Sequence, residues 1–446
     1  MNRSSSTYCA TGFRQSSVKF LRDFSWSAKL VGDCDTALEN LKPIVALTLH
    51  FTEGSTKTYE FTEKELKRFI GDLEAVQQKF NQGYITKSTA IILSSSTLLY
   101  GFTEYITGNE VFQRKQFMPL LHCMLKPELI AQFNIYLAKY RLLPPFSHSY
   151  REYPELNYAE AIDGLRKSGF GFIEVGTVTP LPQKKDSDSM VRRLSGDEGY
   201  ISRGKFKSAG LGNVYLFVKK AYDRNAVVPL GVNIGRNAGF NRLKADYNLG
   251  TYYFGPFCNY LVVNFGSQAG LETIIDLEIA LQGVTSAVNQ MIQASEPPPK
   301  ILIKIPPDLL IADLKTIIKI ALNKQYNING IIISNSTTNH PKNLRTVLQD
   351  DDFLSGKPLR NLSTDCIHNV YSLSHGKIPI IGCGGISSGQ DAYEKIRAGA
   401  SLLQLYSSLL YQGFPVVGRI KRELVECLAR DGFRNISEAV GADHRK

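Results

Sequence analysis

From residue 169 onward, short apolar segments alternate with amphipathic helical patterns. The apolar segments that read as strands are 170–177, 228–234, 259–265, 301–305, 330–335, 378–381 and 402–406. Helical periodicity lies between most of them, for example in 271–292 and 309–323. Buried strands separated by helices are typical of a parallel sheet with helices on its outside. The pattern therefore predicts an α/β fold, and we assign 146–446 to a (β/α)8 TIM barrel.

Most of these predicted strands end in a polar residue or a glycine turn. The residues concerned are Asn233, Asn264, Lys304, Asn335, Gly384 and Tyr406. A single asparagine at a strand end is usually a turn former. Six such residues at the carboxyl ends of consecutive parallel strands would lie together at one end of the barrel, where the active sites of barrel enzymes are found.

One stretch, Ile378–Leu410, reads as strand, glycine turn, helix and strand. Glycines let the backbone approach an anion closely, and the N–H groups that open the helix point at it. In barrels, the loops after the last two strands commonly hold a cofactor phosphate. A tight turn without a ligand is the alternative.

The predicted barrel lacks one strand. A closed barrel needs eight strands and the pattern supplies seven. Residues 146–161 are polar and aromatic, without an alternating or continuous apolar run. We therefore expect a barrel that is missing its first strand.

Composition limits the other classes of function. The net charge of +11 suits a mitochondrial protein or contact with anionic lipid. No basic stripe is interleaved with aromatics, so we predict no nucleic-acid partner. The 7 cysteines include no CxxC pair, which argues against a metal site and a disulfide framework. Residues 1–23 begin with a serine-rich basic stretch that has no acid up to Arg22, which is typical of a transit peptide or a disordered terminus.

Residues 24–82 read as a small α+β unit of their own. Strand patterns occur at 24–27 and 44–51, and Thr62 with Glu65 forms a capping box ahead of an amphipathic helix. The strand-borne Trp26, the second strand and the closing helix resemble a COMM domain, which is a protein–protein interaction module. The resemblance implies protein partners for this unit.

Residues 88–145 carry a different apolar pattern. The segment 90–107 has 18 residues and one acid, Glu104, so it could be a transmembrane helix or a core helix. Two short helical patterns follow, one around Phe117 and one starting at Pro127. Their apolar faces would suit a platform on a membrane or packing against another domain.

Several longer motifs identify a family resemblance over about 90–446. They are GFGFIEVGTVTPLPQ (169–183), GVNIGRN (231–237), YLVVN (260–264), IKIPPDL (303–309), SGKPLR (355–360), the glycine-turn segment 382–409 and the closing AVGADHRK. The chain is similar to the quinone-dependent, membrane-associated class of dihydroorotate dehydrogenases. The resemblance implies FMN as cofactor, oxidation of dihydroorotate to orotate in pyrimidine synthesis, and electron transfer to ubiquinone at the inner mitochondrial membrane.

The resemblance also implies roles for individual residues. Ser267 would be the catalytic base, and Lys304 would face the pyrimidine edge of the flavin, unless it serves in a structural ion pair. The implied flavin-binding residues are Thr177, Asn233, Asn264, Lys304, Ser334, Gly356, Gly385, Tyr406 and Ser407. The implied substrate-binding residues are Asn264, Asn335 and Ser336. The implied residues at the edge of the quinone tunnel are Arg193 and Tyr406.

The chain departs from the family pattern at three places. The first barrel strand and its Ala-Ala-Gly-Phe-Asp-Lys type of motif are absent. The loop after 260–264 lacks the Ser-Pro-Asn-Thr continuation, and 202–207 reads SRGKFK where the family has Asn-Arg-Tyr-Gly-Phe-Asn. Lost hydrogen-bond partners in a polar site cost about 1–3 kcal/mol each, so these changes put turnover in doubt.

Three hypotheses follow from the sequence. The first is a dihydroorotate dehydrogenase by descent. The second is a catalytically inactive scaffold that binds partners through 24–82. The third is two coding units joined near residue 83, with a barrel exon skipped near 146.

Overall fold

The structure is a computed structural model. It describes residues 21–31, 42–51, 56–80, 99–105, 109–127, 129–130, 133, 137, 165–166, 168–183, 191–223, 226–239, 242–342 and 344–445. The chain divides into two units, Met1–Tyr100 and Gly101–Lys446. Residues 1–20, where the transit-like stretch lies, are outside the described part.

The first unit contains an antiparallel sheet and one helix. Its strands are β1 (Leu21–Val31), β2 (Lys42–Phe51) and β3 (Thr56–Thr62), in that order, and α1 is Glu63–Phe80. The capping box is present, because Thr62 N donates to Glu65 Oε2 over 2.9 Å and Glu65 N donates to Thr62 Oγ1 over 3.4 Å. Phe61 stacks on Phe69 at 5.1 Å between ring centroids, so α1 packs on the sheet. The two predicted strands and the helix are confirmed, whereas β3 was not predicted.

The second unit is built on one parallel sheet of seven strands. In chain order these are β4 (Ile173–Val178), β7 (Leu230–Ile234), β8 (Tyr260–Asn264), β9 (Lys300–Ile305), β10 (Ile328–Ile333), β12 (Ile380–Cys383) and β13 (Leu402–Gln404). The spatial order is β13-β12-β10-β9-β8-β7-β4, with parallel pairing throughout. All seven predicted strands are therefore confirmed as neighbours in a single sheet.

Helices connect the strands of this sheet and cover it. They are α4 (Leu211–Ala221), α5 (Leu243–Phe254), α6 (Ile274–Gln293), α7 (Ile311–Leu322), α8 (Arg360–Ser374), α9 (Gly389–Ala398), α10 (Ser407–Gln412), α11 (Val416–Arg430) and α12 (Ile436–Ala439). Every residue of β7 and β8 is buried, as expected for parallel strands covered on both faces. The helix α6 begins at a capping box between Thr273 and Asp276.

The sheet has two outer strands, β4 and β13, and neither has an outer neighbour among the described strands. Their residues are more exposed than those of the inner strands, and Leu402 on β13 is 53% exposed. In a closed eight-stranded barrel, the first strand would lie between β4 and β13. The described residues thus hold a parallel α/β sheet of the barrel type with the first strand missing. The polar insert 146–161 lies outside the described residues.

A second, antiparallel sheet was not predicted. It has the order β11-β6-β5, formed by β5 (Val191–Leu194), β6 (Gly199–Ser202) and β11 (Phe353–Gly356). Each strand has four residues, too few for periodicity to distinguish a strand from a loop. This sheet matters for the site because it carries Arg193, Tyr200 and Gly356.

The apolar region before the barrel is helical where it is described. Residues 99–105 are helical, and α2 (Glu110–Phe112) continues through a π-helical turn (Gln113–Phe117) into α3 (Met118–Met124). Residues 90–98 of the predicted transmembrane segment lie outside the described residues. Within the described residues, no helix has the length and apolar character needed to span a bilayer.

Candidate active site

A cavity of about 500 Å³ lies in the second unit, at the carboxyl ends of the central strands. Eight of the residues predicted for the site line it: Lys304, Ser334, Asn335, Ser336, Gly356, Gly385, Tyr406 and Ser407. They lie at the end of β9, in the segments that follow β10, β12 and β13, on β11 and at the start of α10. The structure thus brings together residues that are separated by up to 103 positions in the chain.

A charged cluster surrounds the Lys304 side chain. The Lys304 Nζ lies 3.5 Å from Glu174 Oε1 and donates to Gln404 Oε1 over 2.9 Å. Gln404 Nε2 and Asn233 Nδ2 both donate to the Glu174 carboxylate, over 2.9 and 3.0 Å. Burial is the largest influence on the pKa of Lys304 and lowers it, but the Glu174 carboxylate and Cys383 together outweigh burial, so the pKa of Lys304 is raised. The cavity therefore keeps a protonated ammonium at this position.

A chain of side-chain hydrogen bonds runs from the same cluster across three strands. Thr177 Oγ1 donates to Asn233 Oδ1, Asn264 Nδ2 donates to Thr177 Oγ1, and Asn335 Nδ2 donates to Asn264 Oδ1 over 2.6 Å. Asn335 lines the cavity, whereas Thr177, Asn233 and Asn264 do not. These three predicted binding residues therefore contact one another beside the cavity.

The glycine turn is supported by the helix that precedes it. Gly385 has φ +73°, and a Cβ placed there would lie 2.4 Å from the backbone N of Arg360 at the start of α8. The fully buried Lys395 donates to Ser363 Oγ, and Ser363 Oγ donates to the carbonyl of Gly384 over 3.0 Å. Burial lowers the pKa of Lys395 to about 8. The turn therefore requires glycine and is held at a fixed distance from α8.

Three buried hydroxyl groups that line the cavity have no hydrogen-bond partner in the described part of the chain. They belong to Tyr200, Ser334 and Ser408. Unsatisfied polar atoms in a protein interior are uncommon and costly. A polar ligand that fills the cavity would satisfy them.

Ser267, the predicted base, does not line the cavity. It is exposed at the start of a one-turn 3-10 helix, and its carbonyl accepts a 2.7 Å hydrogen bond from Lys205 Nζ. The next residue, Gln268, does line the cavity and accepts a 2.8 Å hydrogen bond from Ser336 Oγ. The structure therefore places Ser267 in the turn beside the cavity.

One end of the cavity is apolar and aromatic. Val191, Leu410, Tyr200 and Tyr411 line it there, and Tyr406 lies at the same end. The predicted quinone residue Arg193 does not line the cavity; on β5 it is the register partner of Tyr200 on β6. Its Nε donates to Ser195 Oγ over 3.1 Å.

Sequence reasoning missed four residues that shape this site: Glu174, Gln404, Lys395 and Tyr200. Glu174 had a detectable signal, because it is the only charged residue in the apolar segment 170–177. Lys395 and Tyr200 had none, since a lysine on a helix and a tyrosine in a short strand are ordinary. Their importance depends on burial, which the tertiary structure decides.

A curled parallel sheet with a glycine turn, a buried lysine and amide side chains around one cavity defines an α/β enzyme of the barrel type. The sequence profile described as dihydroorotate dehydrogenase matches residues 157–428. The chain belongs to the dihydroorotate dehydrogenase family.

Individual relatives agree with this membership. The chain is 40% identical over 387 residues to the mouse mitochondrial dihydroorotate dehydrogenase (quinone), covering 80% of this chain and 97% of the relative. It is 40% identical to the mitochondrial protein of that name in Arabidopsis thaliana, covering 64% of this chain and 68% of the relative. The crystal structure of ligand-free DHODH from Eimeria tenella superposes with a TM-score of 0.64 at 32% identity, covering 72% of this chain and 100% of that one.

Proposed function

We propose that this chain is a quinone-dependent dihydroorotate dehydrogenase, which oxidises dihydroorotate to orotate in pyrimidine synthesis. The observation that carries the proposal is that eight predicted site residues, among them Lys304 and Gly385 of the glycine turn, line one cavity. The similarity to enzymes named dihydroorotate dehydrogenase (quinone) supports the same activity. It favours this activity over an inactive scaffold.

The residues present fit FMN. The Ser334 and Ser408 hydroxyls are buried, unsatisfied in the described part of the chain and on the cavity wall, where they can bond a polar cofactor. Gly384 and Gly385 line the cavity, and their positive φ angles would let the turn bring its backbone close to an anionic group there. Tyr406, Ser407 and Gly356 also line the cavity. FMN bound there would supply the two-electron acceptor for hydride from the substrate.

Each polar residue has a task that its position supports. Lys304 offers a protonated ammonium that would stabilise negative charge on the reduced cofactor. Asn335 and Ser336 line the cavity and would hold the amide and carboxylate groups of dihydroorotate. Asn264 fixes Asn335 through their 2.6 Å hydrogen bond. Asn233 and Thr177 keep Glu174 and Asn264 in place.

Ser267 is the proposed base that takes a proton from the substrate carbon next to the one losing hydride. An unperturbed hydroxyl is a poor base, so the serine needs a route to pass the proton on. Its exposed position provides contact with solvent for that purpose. Lys205 fixes the turn by its bond to the Ser267 carbonyl.

The experiment is to purify the full chain and record its visible spectrum, then to measure dihydroorotate-dependent reduction of decylubiquinone. A flavin band together with turnover supports the proposal, and Lys304→Met should abolish turnover. Lys342→Met, a substitution of a lysine outside the cavity lining, should leave it unchanged. A colourless protein that does not reduce decylubiquinone would contradict the proposal.

A further part of the proposal concerns the location of the protein in the cell. We place the protein at the inner mitochondrial membrane, supported by its similarity to relatives named mitochondrial. Fractionation of mitochondria tests this, and recovery outside mitochondria would contradict it.

For residues 24–82 we propose a COMM-like interaction role, supported by the antiparallel sheet with its helix. Sedimentation of the full chain and its Tyr59→Asp variant tests this role, because Tyr59 is 40% exposed on β3. Assembly in the parent chain that is lost in the variant supports it. A parent chain that remains monomeric and binds no partner would contradict it.

A further inference from the structure

The Tyr200 hydroxyl is the unsatisfied group at the apolar end of the cavity. Tyr200 is 4% exposed, lines the cavity, and its Oη finds no hydrogen-bond partner in the part of the chain that the structure describes. Burying such a group without a partner is unfavourable, because the group loses its hydrogen bonds to water. A ligand that accepts a hydrogen bond from the hydroxyl would therefore bind more tightly.

The neighbouring Tyr411 shows that a hydroxyl in this pocket can form hydrogen bonds with the protein backbone. Its ring lies 5.0 Å from that of Tyr200, and its hydroxyl is bonded to the carbonyls of Gly199 and Leu194, at 2.8 and 3.1 Å. The two phenols therefore differ although they share one pocket. The Tyr411 hydroxyl bonds backbone carbonyls of the fold, whereas the Tyr200 hydroxyl has no partner among the described residues and faces the cavity.

The residues packed around Tyr200 and the protonation state of its phenol indicate which kind of ligand can bind there. Met118, Ile130 and Leu410 pack with Tyr200 in one apolar cluster. Burial raises the pKa of Tyr200, so the phenol is protonated at neutral pH and can donate. A ligand for this end should be apolar and carry an uncharged hydrogen-bond acceptor.

We propose that the Tyr200 phenol donates a hydrogen bond to a carbonyl oxygen of the quinone acceptor and so sets this chain's affinity for quinones. The inference rests on the proposed function, because that function supplies the quinone. The position of Tyr200 opposite Arg193 on the paired strands places it at the predicted quinone edge.

The test compares the full chain with Tyr200→Phe, which keeps the ring and removes only the hydroxyl. We expect decylubiquinone to bind about five- to tenfold more weakly to the variant, measured as the ligand-dependent rise in melting temperature. In turnover, KM for decylubiquinone should rise by the same factor. The rate of flavin reduction by dihydroorotate, and turnover with ferricyanide, which has no carbonyl, should stay unchanged.

Tyr247→Phe is the matched control. Tyr247 is also buried, and its hydroxyl likewise has no partner among the described residues, but it lies in the core and does not line the cavity. It should bind decylubiquinone like the parent chain. Equal binding by the parent and Tyr200→Phe, or no binding by the parent, would overturn the inference. Flavin reduction by dihydroorotate is measured separately, so its persistence would leave the dehydrogenase assignment intact.

Discussion

Gln404 on β13 donates a 2.9 Å hydrogen bond to Glu174 on β4, and so connects the two outer strands of the seven-stranded sheet. Glu174 also lies 3.5 Å from Lys304 Nζ. The same carboxylate therefore links the two outer strands of the described sheet and balances the charge of the lysine proposed to face the cofactor. The side chains of Glu174 and Lys304 are only 9% and 14% exposed, so solvent screens the pair weakly.

Glu174→Gln should destabilise the protein by about 3–5 kcal/mol, because it leaves the buried Lys304 charge without its carboxylate. Unfolding in urea measures the change. Glu438→Gln, which removes a surface pair with Arg434, should cost less than about 1 kcal/mol. The raised pKa of Lys304 means that the stability it contributes is present at neutral pH and is lost only as pH rises through that pKa. Equal losses in the two variants would show that Glu174 is not structurally coupled to Lys304.

Lys395→Met should change how stability depends on pH. The pKa of Lys395 is lowered to about 8 in the folded protein. Between about pH 8 and 10.5 the unfolded chain binds a proton that the folded chain lacks, so stability should rise with pH by about 3 kcal/mol in total. The variant should lose this rise, whereas Lys319→Met, at an exposed position on α7, should keep it. Urea unfolding at pH 7.5, 8.5 and 9.5 decides the matter, and parallel profiles for the parent and Lys395→Met would refute the prediction.

Gly385→Ala should destabilise the protein by about 3 kcal/mol and abolish flavin retention. The added methyl would meet the Arg360 backbone at 2.4 Å, and the φ of +73° is unfavourable for alanine. Gly212→Ala is the control, because nothing lies within 4 Å of its Cβ position in α4. The control should be neutral or stabilise by up to about 1 kcal/mol. Melting temperature and the absorbance ratio of flavin to protein report both effects, and an intact, yellow Gly385→Ala protein would disprove the prediction.

Ser334→Ala should weaken FMN binding about five- to tenfold without lowering the stability of the cofactor-free protein. The reason is that Ser334 is 3% exposed and its hydroxyl has no partner in the described part of the chain, so its removal breaks no bond among the described residues. Quenching of FMN fluorescence on titration gives the affinity. Ser363→Ala provides a contrast, since Ser363 Oγ bonds the Gly384 carbonyl and its loss should lower stability as well. Unchanged FMN affinity in Ser334→Ala would remove this serine from the proposed cofactor site.

The parallel sheet could be predicted from the sequence, because its strands are mostly apolar segments and helical periodicity lies between most of them. The sequence also predicted that Lys304 and the residues following β10, β12 and β13 lie close together, since strand order and direction place their carboxyl ends together. The loss of the first strand stays a prediction, because residues 146–161 lie outside the described residues. The antiparallel sheet and β3 were missed, because strands as short as β5 and β6 carry too little periodicity.

Tertiary structure alone decided which side chains are buried and which of them keep a free hydrogen-bonding group. Lys304 could be predicted as a site residue, but its balance with Glu174 and Gln404 joins positions that are 130 and 100 residues away. Thr177, Asn233 and Asn264 were predicted to bind a ligand, and the fold places them in contact with one another instead of on the cavity wall. Tyr200 and Tyr411 are the same residue type in one pocket, and only the backbone carbonyls within reach of Tyr411 make them different. Local sequence determines strands and helices through short-range periodicity, whereas burial and hydrogen-bond satisfaction depend on contacts between distant segments.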